Sequence, residues 1–137
     1  MPTGAPQLIC NQSSTTTPAL TTSAASSNTG GVPAGRSAYQ LVIGEFIRGA
    51  TSITGVTITL YGSRDGVTFI QLPFYDASTT AKTLVTTINL TGSAGTTNDI
   101  ALCCDAMRAF PFIDLKAQAI TANAATGDSF KAWLNAV

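Results

Sequence analysis

Seven carboxylates, three thiols and no histidine are the groups from which this chain would have to build acid–base, nucleophilic or metal chemistry. Without imidazole there is no Ser-His or Cys-His pairing and no base poised near neutral pH. The carboxylates are Glu45, Asp65, Asp76, Asp99, Asp105, Asp114 and Asp128. A glycosidase sets two such groups across a cleft, and no motif here brings two together. Asp65 and Asp128 fall in predicted turns, where aspartate is favoured for local backbone hydrogen bonds. Calcium takes carboxylate and carbonyl oxygens, so turn aspartates at Asp65, Asp76 and Asp99 are weighed as a shared site. The spacing of an EF-hand loop is absent, and turn formation accounts for them better. Gly-rich stretches occur, but none joins a strand to a helix with a following lysine, as a phosphate cradle requires. The expectation is a protein with no catalytic residues, no metal and no cofactor.

The thiols are Cys10 and the adjacent pair Cys103-Cys104. With no histidine and no C-x-x-C, a zinc site is not expected. On a strand the adjacent pair points to opposite faces, which reads as buried structural thiols. A bridge from Cys10 to either one is left open. Trp133 and Tyr75 would make a sugar-stacking platform if exposed, with Tyr39 and Tyr61 as further candidates. For Trp133, packing or an interface is the favoured reading.

Charge narrows the partners. The apolar fraction of 45% is ordinary, but charged residues make up 10%, well under the usual ~25%. Net charge is zero. Arg36, Arg48, Arg64, Lys82, Arg108, Lys116 and Lys131 stand singly, so the clustered cations of nucleic-acid binding are missing. A neutral, weakly charged surface is poorly protected against self-association. No stretch approaches the ~20 apolar residues of a membrane span, and neither a signal peptide nor a lipoprotein site at Gln7-Leu8-Ile9-Cys10 is expected.

The positioning elements are strands. Thr, Ser, Ala and Gly replace the missing charges, and that mixture favours pleated surfaces and their turns. Residues 1–37 have little periodicity beyond Leu8-Ile9-Cys10. They are expected to be an extended or flexible N-terminal arm, since such a segment cannot offset its own ordering entropy. If ordered, it would have to be held by the body or by a neighbouring subunit, and as an arm reaching across an interface it would have Leu8, Ile9 and Val32 as its anchors. Residues 38–137 read as a β-sandwich domain. Tyr39 to Arg48 places Tyr39, Leu41, Ile43 and Ile47 on one face, with Val42 and Phe46 on the other. Val56, Ile58 and Leu60 alternate with Thr57 and Thr59. Asp65-Gly66 then signals a hairpin into Val67 to Leu72. Further strands are expected at Lys82 to Leu90, Ile100 to Cys104, Phe110 to Ile120 and Ser129 to Val137, with a single helical turn at Asp105 to Ala109. In the last strand Phe130, Ala132 and Leu134 face one way, Lys131 and Trp133 the other.

At Leu60-Tyr61-Gly62-Ser63-Arg64-Asp65-Gly66-Val67-Thr68-Phe69-Ile70-Gln71-Leu72 the sequence resembles tailed-bacteriophage virion proteins. There a strand ends in a small-residue and Asp-Gly turn, and the next opens with threonine and an aromatic residue. Phe110-Pro111-Phe112-Ile113-Asp114-Leu115-Lys116 and Phe130-Lys131-Ala132-Trp133-Leu134 continue the likeness as a closing hairpin, so that it covers roughly residues 39–137. Arg64 departs from it, standing where a small or amide residue is usual. The resemblance implies a structural component of a virion, assembled in the host cytoplasm. It would be a capsid decoration (cement) protein that binds the particle by surface packing and arm exchange, or alternatively a neck or tail component. It would act as a homo-oligomer against the major capsid protein or other virion proteins, without nucleic acid or membrane. The expected fold is all-β, a jelly-roll-like antiparallel β-sandwich with an extended N-terminal arm. The expected interface residues are Leu8, Ile9, Val32 and Trp133. The rival from another class is a carbohydrate-binding module, because the same turn occurs in secreted carbohydrate-binding sandwiches.

Overall fold

The computed structural model describes residues 6–28, 30–33, 39–49 and 52–136. The boundary expected between residues 37 and 38, the cation Arg36 and the side chain of Tyr39 lie outside the described residues. In chain order the strands are β1 (Gln7–Ser13), β2 (Ala25–Ser26), β3 (Val32–Pro33), β4 (Tyr39–Ile47), β5 (Gly55–Ser63), β6 (Phe69–Gln71), β7 (Tyr75–Asp76), β8 (Ile88–Thr91), β9 (Thr97–Cys103), β10 (Phe112–Ile120) and β11 (Ser129–Ala136). A 3-10 turn at Asp105–Ala109 separates β9 from β10, and no helix among the described residues is long and apolar enough to cross a membrane.

The fold is all-β. One sheet runs β1-β11-β4-β9-β7, and the other runs β2-β10-β5-β6 with β3 also on β10 and β8 also on β5. Among the described residues every strand pairing is antiparallel. The first strand lies beside the last, β2 and β3 beside β10, β4 beside β9, and β5 beside β6 and β8. Between the sheets lies a single core. Val42, Phe46, Leu102, Phe130 and Leu134 enter it from the first sheet, and Val56, Ile58, Leu60, Ile113 and Leu115 from the second. The period-2 patterns of β5, β10 and β11 set this arrangement, since alternate side chains point to opposite faces.

Three expectations need correction. The first is the arm's reach across an interface, since residues 7–33 pack on their own chain where described. β1 pairs with β11, and Ile9, Cys10, Leu20 and Val32 are all buried in the core. Within the segment Asn28 Nδ2 donates to the Ile9 carbonyl at 2.7 Å, and bonds to the body run from the Gln118 amide to the Thr22 carbonyl at 2.6 Å and from the Thr22 N–H to Asn123 Oδ1 at 2.9 Å. Ile9 and Val32 therefore anchor the segment to its own chain's core instead of to a neighbour.

Second, β10 and β11 lie in different sheets, so the C-terminal strands make a crossing between layers and not a closing hairpin. Third, the strand expected over Lys82 to Leu90 shrinks to Ile88–Thr91. Leu84 and Val85 point in opposite directions, so the stretch has no continuous apolar face. Val85 makes an isolated bridge with Phe74, Leu84 is exposed, and Lys82 sits at φ 48°. The hairpin signalled by Asp65-Gly66 does form, with β5 and β6 paired antiparallel. Ser63 pairs with Phe69, leaving five residues between them, with Gly66 at φ 76°, a region glycine enters without a Cβ clash.

Candidate interaction surface

Alternation that buries one side of β11 and β4 turns the other side outward. With Phe130, Ala132 and Leu134 buried, Lys131, Trp133 and Asn135 face away from the core, half-buried. With Val42 and Phe46 buried, Leu41, Ile43, Glu45 and Ile47 do the same. The register aligns these residues in rows across the sheet. One row runs Leu8–Trp133–Ile43–Ala101, and the next runs Asn135–Leu41–Cys103–Tyr75. A third runs Asn11–Lys131–Glu45–Asp99. At about 4.8 Å per strand, the first row spans about 14 Å of almost purely apolar side chains. Leu8 is 44% exposed. Pro6, Ile43, Trp133 and Asn135 bound a hollow of about 220 Å³ on this face.

The expected interface residues therefore divide. Leu8 and Trp133 are cross-strand neighbours on the outer face, whereas Ile9 and Val32 are inside. Ile43 and Leu41, not singled out from the sequence, complete the apolar rows. The signal for them was the second apolar face of β4, which an outer-facing surface explains as well as a buried one.

The potentially reactive groups are dispersed. All three cysteines are free thiols. Burial pushes the Cys10 thiol up to about 12, helped by the Asp114 carboxylate and opposed by the Ser27 hydroxyl. Burial likewise raises Cys104. Neither forms a thiolate at neutral pH, and the thiolate is the nucleophile. Among the described residues no three His, Cys, Asp or Glu side chains converge on a metal position. Asp65 accepts from the Thr68 and Val67 amides and the Ser63 hydroxyl, which hold its carboxyl at about 2. Asp76 accepts from the Ser78 amide and hydroxyl, and Asp128 from the Gly49 and Ala125 amides. Asp99, expected in a turn, lies within β9 opposite Glu45.

The aromatic residues form no row. Trp133 and Tyr75 are on the same sheet with β4 and β9 between them, while Tyr61 is on the other sheet. The Lys116 ammonium lies 4.8 Å from the centre of the Tyr61 ring, and that of Lys82 lies 5.5 Å from the Tyr75 ring. These lysines cover ring faces that a stacked sugar would need. The hollow at the end of the sheets, lined by Arg48, Thr54, Thr91, Ser93, Thr96 and Asn98 with Gly92, measures about 570 Å³ and presents neither an aromatic nor a carboxylate side chain.

One carboxylate is under stress. Asp114 is 5% exposed and accepts from Ser26 Oγ at 2.6 Å and from the Leu115 N–H at 2.9 Å. Burial nevertheless raises its carboxyl above the ordinary 3.8, outweighing those bonds and the charge of Lys116. A folded-state pKa above the unfolded one means that the native state binds the proton more tightly. Asp114's contribution is then fully favourable below 3.8 and is lost as pH rises through the raised value. Asp114→Asn, which keeps an acceptor oxygen but no charge, is expected to raise the melting temperature at neutral pH and to matter less in acid. A melting difference that stays constant across that range would rule out this account.

No protein-family model matches the chain, and no curated protein matches it.

Proposed function

We propose that the protein is a non-catalytic structural component of a bacteriophage particle, most specifically a capsid decoration protein that works by surface packing. The observation that carries this reading is the apolar row Leu8–Trp133–Ile43–Ala101 on the outer face of the five-stranded sheet, with Leu41 beside it in the next row. An apolar face of this extent on a soluble protein marks a contact surface. Two further observations support it. The pairing of the first strand with the last supports the jelly-roll-like arrangement we propose, an architecture that recurs in viral capsid and lectin domains, although fold alone does not decide function. The chain also has no histidine and almost no charge to spend on chemistry. β1 closes its own chain's sheet, so packing rather than arm exchange is the mode proposed. Symmetry repeats each weak contact over a particle, and avidity makes the sum tight.

The test is immunogold labelling, with antibody against this chain, of virus-like particles purified from cultures that carry its gene. Label spread over heads is expected. Label confined to necks or tails would move the protein to the alternative location, and its absence from particles would end the virion reading. A glycan array run alongside tests the carbohydrate-binding rival.

A further inference from the structure

We infer that the outer face of the five-stranded sheet is where two copies of this chain pack face to face, about a two-fold axis running along the strands between β4 and β11. This rests on the reading above and names the first partner of that face.

The choice of a second copy comes from the charged row. Across the strands it reads Asn11 on β1, Lys131 on β11, Glu45 on β4 and Asp99 on β9. A two-fold axis parallel to the strands keeps every residue in its row and reflects the strand order. Placed between β11 and β4, it sets Lys131 opposite Glu45 of the partner subunit, twice over, and Asp99 opposite Asn11 of the partner subunit. The alternatives fail on charge. An axis on β4 brings Glu45 against itself, one on β11 brings Lys131 against itself, and one between β4 and β9 brings Glu45 against Asp99. Like charges facing each other are strongly disfavoured, and an axis between β1 and β11 overlaps only those two strands and leaves Glu45 without a facing cation, so among axes parallel to the strands the row favours the one between β11 and β4.

The same operation serves the apolar rows. Trp133 meets Ile43 of the partner subunit, Asn135 meets Leu41 of the partner subunit, and Leu8 meets Ala101 of the partner subunit. The hollow bounded by Pro6, Ile43, Trp133 and Asn135 lies where the second copy's indole and Ile43 arrive. Such self-complementarity is what an isologous contact requires, and two sheets with aligned strands stack in this way.

Sedimentation equilibrium of the whole chain tests the inference, with Lys131→Glu, Glu45→Lys and the double variant beside the wild type. The wild type is expected to be a dimer. Each single substitution sets like charges opposite each other twice per dimer and is expected to weaken association at least about tenfold. The double variant should dimerise again. The two single variants, mixed, should pair with each other better than either pairs with itself. A purely intrachain role for the Lys131–Glu45 neighbours cannot produce that last result. Melting curves confirm that each variant is folded. Trp133 is the sole tryptophan, so its emission should shift to the red as the wild-type dimer is diluted. A wild type that stays monomeric, single variants that still dimerise, or a mixture that gains nothing would each overturn the inference. A monomer that still labels phage heads leaves the virion reading standing. A dimer absent from particles defeats that reading and leaves the dimer intact.

Discussion

A chain lacking residues 1–33 is expected not to fold. Truncation removes β1 and with it the pairing partner of β11 on that side. It also takes Ile9, Leu20 and Val32 out of the core. Fully burying each such side chain contributes about 1.5–3 kcal/mol, so roughly 5–9 kcal/mol is lost before any hydrogen bond is counted. Domains of this kind are stable by about 5–15 kcal/mol in total. The loss extends to polar groups. The Ala119 N–H donates to the Thr21 carbonyl at 2.7 Å, and the Ala124 N–H to the Leu20 carbonyl at 2.9 Å. Without the segment, Asp114 also loses its Ser26 partner. Circular dichroism and thermal melting check the result, which should be the loss of a cooperative transition. A truncated chain that melts sharply near the wild-type temperature would show that the segment is the detachable arm its composition resembles.

What was legible in the sequence followed from local alternation. β5, β10 and β11 each carry a clean period of two, and the structure buries the faces that this period selects. β1 was not legible because its alternation is broken. The register shifts between Leu8 and Cys10, so the neighbours Ile9 and Cys10 are both buried, which no strict alternation yields. The polar segment after it is held by side-chain bonds to residues about a hundred positions away, such as Thr22 to Asn123. Composition reads such a segment as loose because its partners are distant in the chain. Sheet membership failed for the same reason. Nothing within Phe112–Ile120 and Ser129–Ala136 states that the chain crosses between layers in passing from one to the other. The contact face was half-visible: Trp133 and Leu8 were marked, but their adjacency depends on the β1–β11 register, and Ile43 joins them only through the β11–β4 register.

Phe130→Ala is expected to cost about 3–5 kcal/mol, the range for emptying a large aromatic site in a core, and to lower the melting temperature by roughly 10–20 °C. Phe130 is fully buried between β1 and β4, where its cross-strand neighbours are Gln12 and Phe46. Gly44 reveals how tightly the ring fits. A Cβ built there would stand 3.2 Å from two atoms of the Phe130 ring and 3.1 Å from a methyl of Ile100. In the wild type, Gly44→Ala therefore forces the ring aside and is expected to destabilise, since overpacking a filled core costs about 1–3 kcal/mol. In the Phe130→Ala background the ring is gone, and the added methyl enters the vacated space. There the same substitution should stabilise, through partial filling and the smaller backbone entropy lost by alanine than by glycine. The sign of one substitution thus depends on a residue far away in the chain, as a double-mutant cycle by denaturant unfolding would reveal. Equal costs in both backgrounds would mean that Ile100, and not Phe130, is what keeps position 44 free of a side chain.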